Sequence, residues 1–266
     1  TIDEIKFSIC RGGWPGSLDR STPKTQLAIA KDLFNQTCNV DISNIDGVNR
    51  NPQWAKAILK SYARNLCTLA TTKTILADVN ASCEMSKQSY YDYVSALEKL
   101  MIIEDIDAWN PAIRSKTSIR SSAKRNFIDP SIAVAAFGIS PEYFDRDYKT
   151  LGFLFESLCI RDLIVYSSNN DGNLSYYRDR LGLEADAVLH LDDGRYALIE
   201  IKLGQSDVDE SAKHLCEIET LIREYNESNK KVSLNMPTLK IILTGTQYGY
   251  RRDDKVFVIP IACLRD

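Results

Sequence analysis

The chain has 266 residues, 44% hydrophobic and 26% charged, a length beyond one ordinary domain and a composition that supports packed cores. Its 33 Lys and Arg against 36 Asp and Glu leave a formal charge of −3, which excludes a uniformly basic coat. No run approaches the roughly 18 apolar residues of a membrane span, and seven Cys without a C-x-x-C pair, beside two His, argue against a zinc module or a disulfide framework.

Charge is uneven along the chain. Residues 1–150 carry 19 Lys and Arg against 17 Asp and Glu, and residues 151–266 carry 14 against 19, so any polyanion contact must come from a local patch. The opening, with Asp3, Glu4 and Lys6, lacks the basic-then-apolar pattern of a secretory signal; a cytoplasmic location without a membrane partner is expected. Arg11-Gly12-Gly13-Trp14-Pro15 reads as a fixed turn with close backbone approach. No G-x-x-x-x-G-K-[ST] element occurs, so no P-loop ATP site is expected in this chain.

From Pro52 to Ala70 the apolar residues Ala55, Ile58, Leu59, Tyr62, Leu66 and Leu69 recur close to helical spacing. A second helix is predicted from Ser86, its N-cap, to Met101, with Tyr90, Tyr93, Val94, Leu97, Leu100 and Met101 on the apolar face. Ile102 to Ala108 then reads as a strand, and helix, turn, helix, strand is the outline of a winged helix. In that outline Lys87, Gln88 and Tyr91 occupy the exposed N-terminal part of the recognition-type helix. Arg114, Lys116, Arg120, Lys124 and Arg125 would form a basic wing against DNA phosphates, with no acidic residue from Pro111 to Asn126. Winged helices also serve protein contacts, and a Lys-Arg loop can be merely solvated, so both readings stay open. Short helical or turn elements follow at 131–138 and 141–147, and the predicted boundary near Thr150 separates a helical, winged-helix-like domain over 1–150 from a second domain over 151–266.

Beyond Leu151 the pattern becomes α/β. An apolar helix is predicted over 151–166, with Glu156 its only acidic residue before Asp162; a partly buried carboxylate there needs a partner. A strand at Leu174–Arg178 precedes a hairpin. A helix follows over 207–227, with Val208, Leu215, Ile218, Leu221, Ile222 and Tyr225 inward and Lys213 and His214 on its outer face. Apolar strands at Leu239–Leu243 and Val256–Ile261 complete a mixed sheet, and the class expected is mixed α+β.

The hairpin, EADAVLHLDDGRYALIEIKL from Glu184 to Leu203, carries the chemistry. A two-residue turn at Asp193-Gly194 would put Asp186 and Glu200 on opposite faces. A three-residue loop with Gly194 left-handed instead pairs Leu191 with Arg195, Asp186 with Glu200 and Glu184 with Lys202. Alternation favours the second register, because Ala185, Ala187, Leu189, Leu191, Ala197, Ile199, Ile201 and Leu203 then share a buried face while Glu184, Asp186, His190, Glu200 and Lys202 share the other. Two carboxylates beside a lysine suit a hard divalent ion, Mg²⁺ or Mn²⁺, with Asp186 and Glu200 as ligands and Lys202 positioning water or developing charge. The alternative is a solvated strand face with an ordinary Glu184–Lys202 pair.

Asp186 with Glu200-Ile201-Lys202 resembles the PD-(D/E)xK nuclease-like superfamily, whose fold is a restriction-endonuclease-like mixed sheet. That resemblance implies a supporting role for Glu156 at the metal site. A broader likeness covers nearly the whole chain. The Gly-Gly-Trp-Pro turn, the helical segment, Asn126-Phe127-Ile128-Asp129-Pro130, Phe155-Glu156-Ser157, Tyr177-Arg178-Asp179, Glu184-Ala185-Asp186 and Glu200-Ile201-Lys202 resemble, in order, the C-terminal region of unknown function that follows the P-loop core in a family of bacterial and archaeal AAA-type ATPases. The likeness implies an ATPase domain as partner, in cis or in trans. Two functions are therefore expected to compete: a metal-dependent DNA phosphodiesterase, and a catalytically inactive nucleic-acid or protein docking module that regulates an ATPase.

Overall fold

The computed structural model describes residues 1–112, 121–228 and 233–265. The class is mixed α+β, as expected: helices dominate the N-terminal half, and a six-stranded mixed sheet lies in the C-terminal half. The chain packs as two compact units. One combines Asp3–Asp105 with Lys124–Leu158, and the other combines Thr1–Ile2, Ile106–Ala123 and Cys159–Asp266.

The helical unit contains α1 (Ile2–Arg11, from Asp3 onward), α2 (Pro15–Leu18), α3 (Pro23–Gln36), α4 (Ile42–Asn44), α5 (Pro52–Arg64), α6 (Thr72–Asn80), α7 (Lys87–Lys99) and α8 (Ser131–Phe137). Local chemistry sets their starts. Thr22, Asn51, Thr71 and Ser86 each accept a backbone N–H of the first turn, and Pro23 and Pro52 stand where a missing N–H costs nothing. Ser86 therefore caps α7 as predicted, and Tyr90, Tyr93, Val94 and Leu97 are buried along it. Met101 departs from that stripe: it is left-handed at φ 54° and exposed, because the chain turns off the helix there with Ile102 N–H bonded to the Leu97 carbonyl.

The predicted strand over 102–108 is divided between the units. In the helical unit Ile103 bridges Phe127, with Glu104 N–H on the Asn126 carbonyl. In the sheet unit Ala108 bridges Tyr176, with Trp109 N–H on the Tyr176 carbonyl. Neither contact extends into a strand. Helix α5 also ends sooner than its periodicity predicts, at Arg64, where Asn65 and Leu66 make turn bonds and Cys67 takes a left-handed conformation.

Three quoted sequence elements meet inside the helical unit. Gly13 N–H bonds the Asp129 carboxylate at 2.9 Å, and the Trp14 indole bonds Ser131 Oγ at 2.8 Å. Ser157 donates to Asn126 Oδ1 at 2.8 Å. Gly12 has φ +75°, and a Cβ there would lie 2.5 Å from both Ser131 Oγ and the Trp14 ring nitrogen. Glycine is required for both reasons.

The sheet unit is built on β1 (Asn173–Arg178), β2 (Glu184–His190), β3 (Tyr196–Lys202), β4 (Leu239–Thr244), β5 (Tyr250–Arg251) and β6 (Phe257–Pro260), in the order β1-β2-β3-β4-β6-β5. Strands β1, β2 and β3 form an antiparallel meander; β3 pairs β4, and β4 pairs β6, in parallel. Parallel neighbours need a long connection, and α10 (Val208–Ser228) supplies it between β3 and β4. The apolar stripe of α10 packs Val208, Ala212, Leu215, Ile218 and Ile222 onto Val188, Tyr196, Leu198, Ile242 and Val258. The helix α9 (Tyr148–Ser167) belongs to the helical unit as far as Leu158 and to the sheet unit from Cys159; it is apolar nearly all round, with Leu151, Leu154 and Phe155 inaccessible in the first part and Cys159 and Ile160 in the second.

Candidate active site at the end of the hairpin

The hairpin adopts the three-residue-loop register. Leu191 N–H bonds the Arg195 carbonyl, Gly194 is left-handed at φ +85°, and the ladder runs His190–Tyr196, Leu189–Ala197, Val188–Leu198 and Ala187–Ile199. Continued by one residue, it sets Asp186 opposite Glu200. There the ordinary ladder stops, because the Ile201 N–H turns to Asp186 Oδ2 at 2.8 Å. The Asp186 carboxylate is thus held by backbone from the neighbouring strand.

The face carrying these groups is not a solvated one. Val188, Tyr196 and Leu198 share it and are buried under α10, so Asp186 is 8% and Glu200 2% exposed. Nor does the Glu184–Lys202 pair form: Glu184 pairs with Arg178 at 3.1 Å. The Lys202 ammonium instead bridges the two buried carboxylates, at 2.6 Å from Glu200 Oε2 and 3.1 Å from Asp186 Oδ2. Burial raises the Glu200 carboxyl well above the usual carboxylate range, helped by the negative Asp186 beside it. Burial alone would lower Lys202, but Asp186 and Glu200 outweigh it and raise the ammonium above its ordinary value.

A cavity of about 250 Å³ opens beside this triad, lined by Glu200, Lys202, Glu184, Asp207, Glu210, Ser211 and His214 among others. Glu200 Oε1 and Ser211 Oγ are buried at its wall without hydrogen-bond partners among the described residues, and His214 Nδ1 stands 4.0 Å from Glu200 Oε1. Asp207, Glu210, Ser211 and His214 have the i, i+3, i+4, i+7 spacing of one helix face. The spacing marks one polar face, but nothing in the sequence of Asp207, Glu210, Ser211 and His214 says that it borders a buried carboxylate.

The remaining expected site residues are dispersed. Glu156 lies in the helical unit, paired with Lys124 at 2.7 Å, and both side chains are largely buried. Arg125 is held by Asp105 and donates to the Ala70 carbonyl. Lys124 and Arg125 are thus engaged in internal ion pairs, where burial demands a partner for each charge, instead of standing on an open wing. Arg114, Lys116 and Arg120 lie outside the described residues. Lys87, Gln88 and Tyr91 do share the exposed start of α7, with Lys87 Nζ 5.7 Å from the Tyr91 ring centre and Gln88 bonded to Asp92. His190 sits at the turn end of the hairpin, bonded to Ser175 and stacked near Trp109, away from the triad.

Among the described residues no group of three or more His, Cys, Asp or Glu side chains is placed to hold a metal ion. A hard divalent ion does not need three, since it takes one or two carboxylates and completes its shell with water and phosphate oxygens. The unpartnered Glu200 Oε1 is a donor of the right chemistry, so the Asp186–Glu200 pair fits such an ion. Among the described residues no helix is long and apolar enough to cross a membrane.

Residues 151–264 match a family model described as a domain of unknown function, DUF4143, and residues 2–143 match another, DUF8612. No curated protein and no solved structure matches the chain. The second of these models covers more than half of the sequence, and the chain belongs to the domain-of-unknown-function family DUF8612.

Proposed function

We propose that this chain is the DNA-associated C-terminal part of a cytoplasmic AAA-type ATPase and carries a nuclease-like, Mg²⁺- or Mn²⁺-dependent phosphodiesterase site. The observation that carries the reading is the convergence of Asp186, Glu200 and Lys202, the last two of which line one cavity, with both carboxylates withdrawn from water. Asp186 and Glu200 would hold the ion, which when bound supplies Lewis acidity toward a phosphodiester and acidifies water. Lys202, the most exposed of the three, donates to the attacking water or to the charge that develops on phosphate. Lys87, Gln88 and Tyr91 at the start of α7, with Arg114, Lys116 and Arg120, would bear on the duplex.

The test is cleavage of supercoiled or branched DNA by the purified chain with Mg²⁺. Lys202→Ala should lower the rate by at least about 10²-fold, the scale of losing one electrostatic donor, with the circular dichroism spectrum unchanged. Undiminished cleavage by that variant would reject the site.

The second reading is a catalytically inactive module that docks nucleic acid or protein and regulates an ATPase. Glu184, Asp207 and Glu210 at the cavity favour its protein-docking form, because an acidic rim repels a polyanion. Calorimetry showing no divalent-ion binding would select it.

A further inference from the structure

Lys202 already bridges one oxygen of each carboxylate, so a divalent ion shared by the pair would meet its ammonium. Asp186 Oδ2 already accepts both the Ile201 N–H and the ammonium, and Glu200 Oε2 accepts the ammonium at 2.6 Å. The side chains of Asp186 and Glu200 are 11% and 3% exposed, so water does little to screen one cation from another. Lys202 differs from both: its side chain is 28% exposed and it lines the cavity, which gives its flexible stem somewhere to go.

We propose that Lys202 is the resident cation of this site and competes with a divalent metal ion for Asp186 and Glu200. In the resting protein the pair shares the one ammonium. A divalent ion that takes the carboxylates displaces Lys202 into the cavity, where the ammonium faces whatever phosphate or water occupies it. Loading and arming of the lysine are then one event, and wild-type affinity for metal is held low by the chain's own side chain. This rests on the metal-holding role proposed for Asp186 and Glu200.

The experiment is Mn²⁺ binding to the full chain, followed by calorimetry and by the loss of free-ion paramagnetic resonance signal, with no substrate present. Lys202→Met should bind Mn²⁺ at least about tenfold more tightly than wild type, because a unit charge a few ångströms away has been removed. Lys202→Arg, which keeps the charge, should show no such gain. Adding Glu200→Gln to Lys202→Met should abolish the gain, which places the ion on this pair. Lys202→Gln gives an independent neutral variant should the methionine variant fail to fold. Equal or weaker Mn²⁺ binding by the folded neutral variants overturns the competition. The phosphodiesterase reading fails separately, by absent cleavage, and tighter Mn²⁺ binding by Lys202→Met would still support the competition.

Discussion

At the scale of single residues, the molecule depends on a few positions whose neighbours leave no latitude. Gly12 combines a left-handed backbone with two side-chain atoms closer than any Cβ tolerates, so Gly12→Ala should cost about 2–4 kcal/mol, read from urea unfolding of the variant and wild type. Asp46 shows the acid-dependent side. Its hydrogen bonds to the buried Arg50 hold the carboxyl down at about 2, against an ordinary value near 3.8. A folded carboxyl that binds its proton less readily than the unfolded one contributes fully above pH 3.8, and loses that contribution as pH falls toward 2. Urea midpoints between pH 5 and 2 should therefore fall less steeply in Asp46→Asn, which has no such carboxyl to protonate. These residues also mark the limit of local reading. The Gly-Gly-Trp-Pro turn was legible as a tight corner from its composition, but its partners Asp129 and Ser131 are 116 and 117 residues away.

At the scale of elements, caps and turns agree with the sequence more closely than element ends do. Ser86 caps α7 and Gly194 closes the hairpin because each acts within three residues of itself, and the resulting register follows from a side-chain period of two. The exit from α7 is less favourable. Met101 occupies a left-handed position suited to glycine, at a strain of roughly 1–2 kcal/mol, while glycine would return some of that through a freer unfolded chain. Met101→Gly should thus stabilise the protein by about 0.5–1 kcal/mol, visible as a raised melting temperature, since the exposed side chain contributes little packing. The helix α10 lies where its period places it, with Val208, Leu215, Ile218 and Ile222 inward as expected, but Leu221 and Tyr225, also expected inward, are exposed. What escaped was its second stripe, 207-210-211-214, because a polar helix face looks the same from the sequence whether it meets solvent or a buried carboxylate.

For the whole chain, each compact unit is assembled from separate stretches of sequence, and a side chain of the sheet unit shows the consequence. Trp109 lies 4.5 Å from the Tyr196 ring centre and packs on the core shared by β2, β3 and α10, while its backbone N–H holds the edge strand β1. Trp109→Ala should cost the sheet unit about 2–4 kcal/mol and expose the β1 edge, measurable as faster amide exchange at Tyr176 and its neighbours. By itself the sequence determined the class, the starts of α5 and α7, the strands β1 to β4 and β6, and the hairpin register, all of which follow from period, capping and turn chemistry acting over a few residues. Only the tertiary structure decided that Lys124 and Arg125 turn to Glu156 and Asp105, 32 and 20 residues away, that His214 faces Glu200, and that Lys202 takes both carboxylates instead of Glu184. The physical reason is that a charge removed from water must find its counter-charge in space, and which one comes within reach is set by how the elements pack.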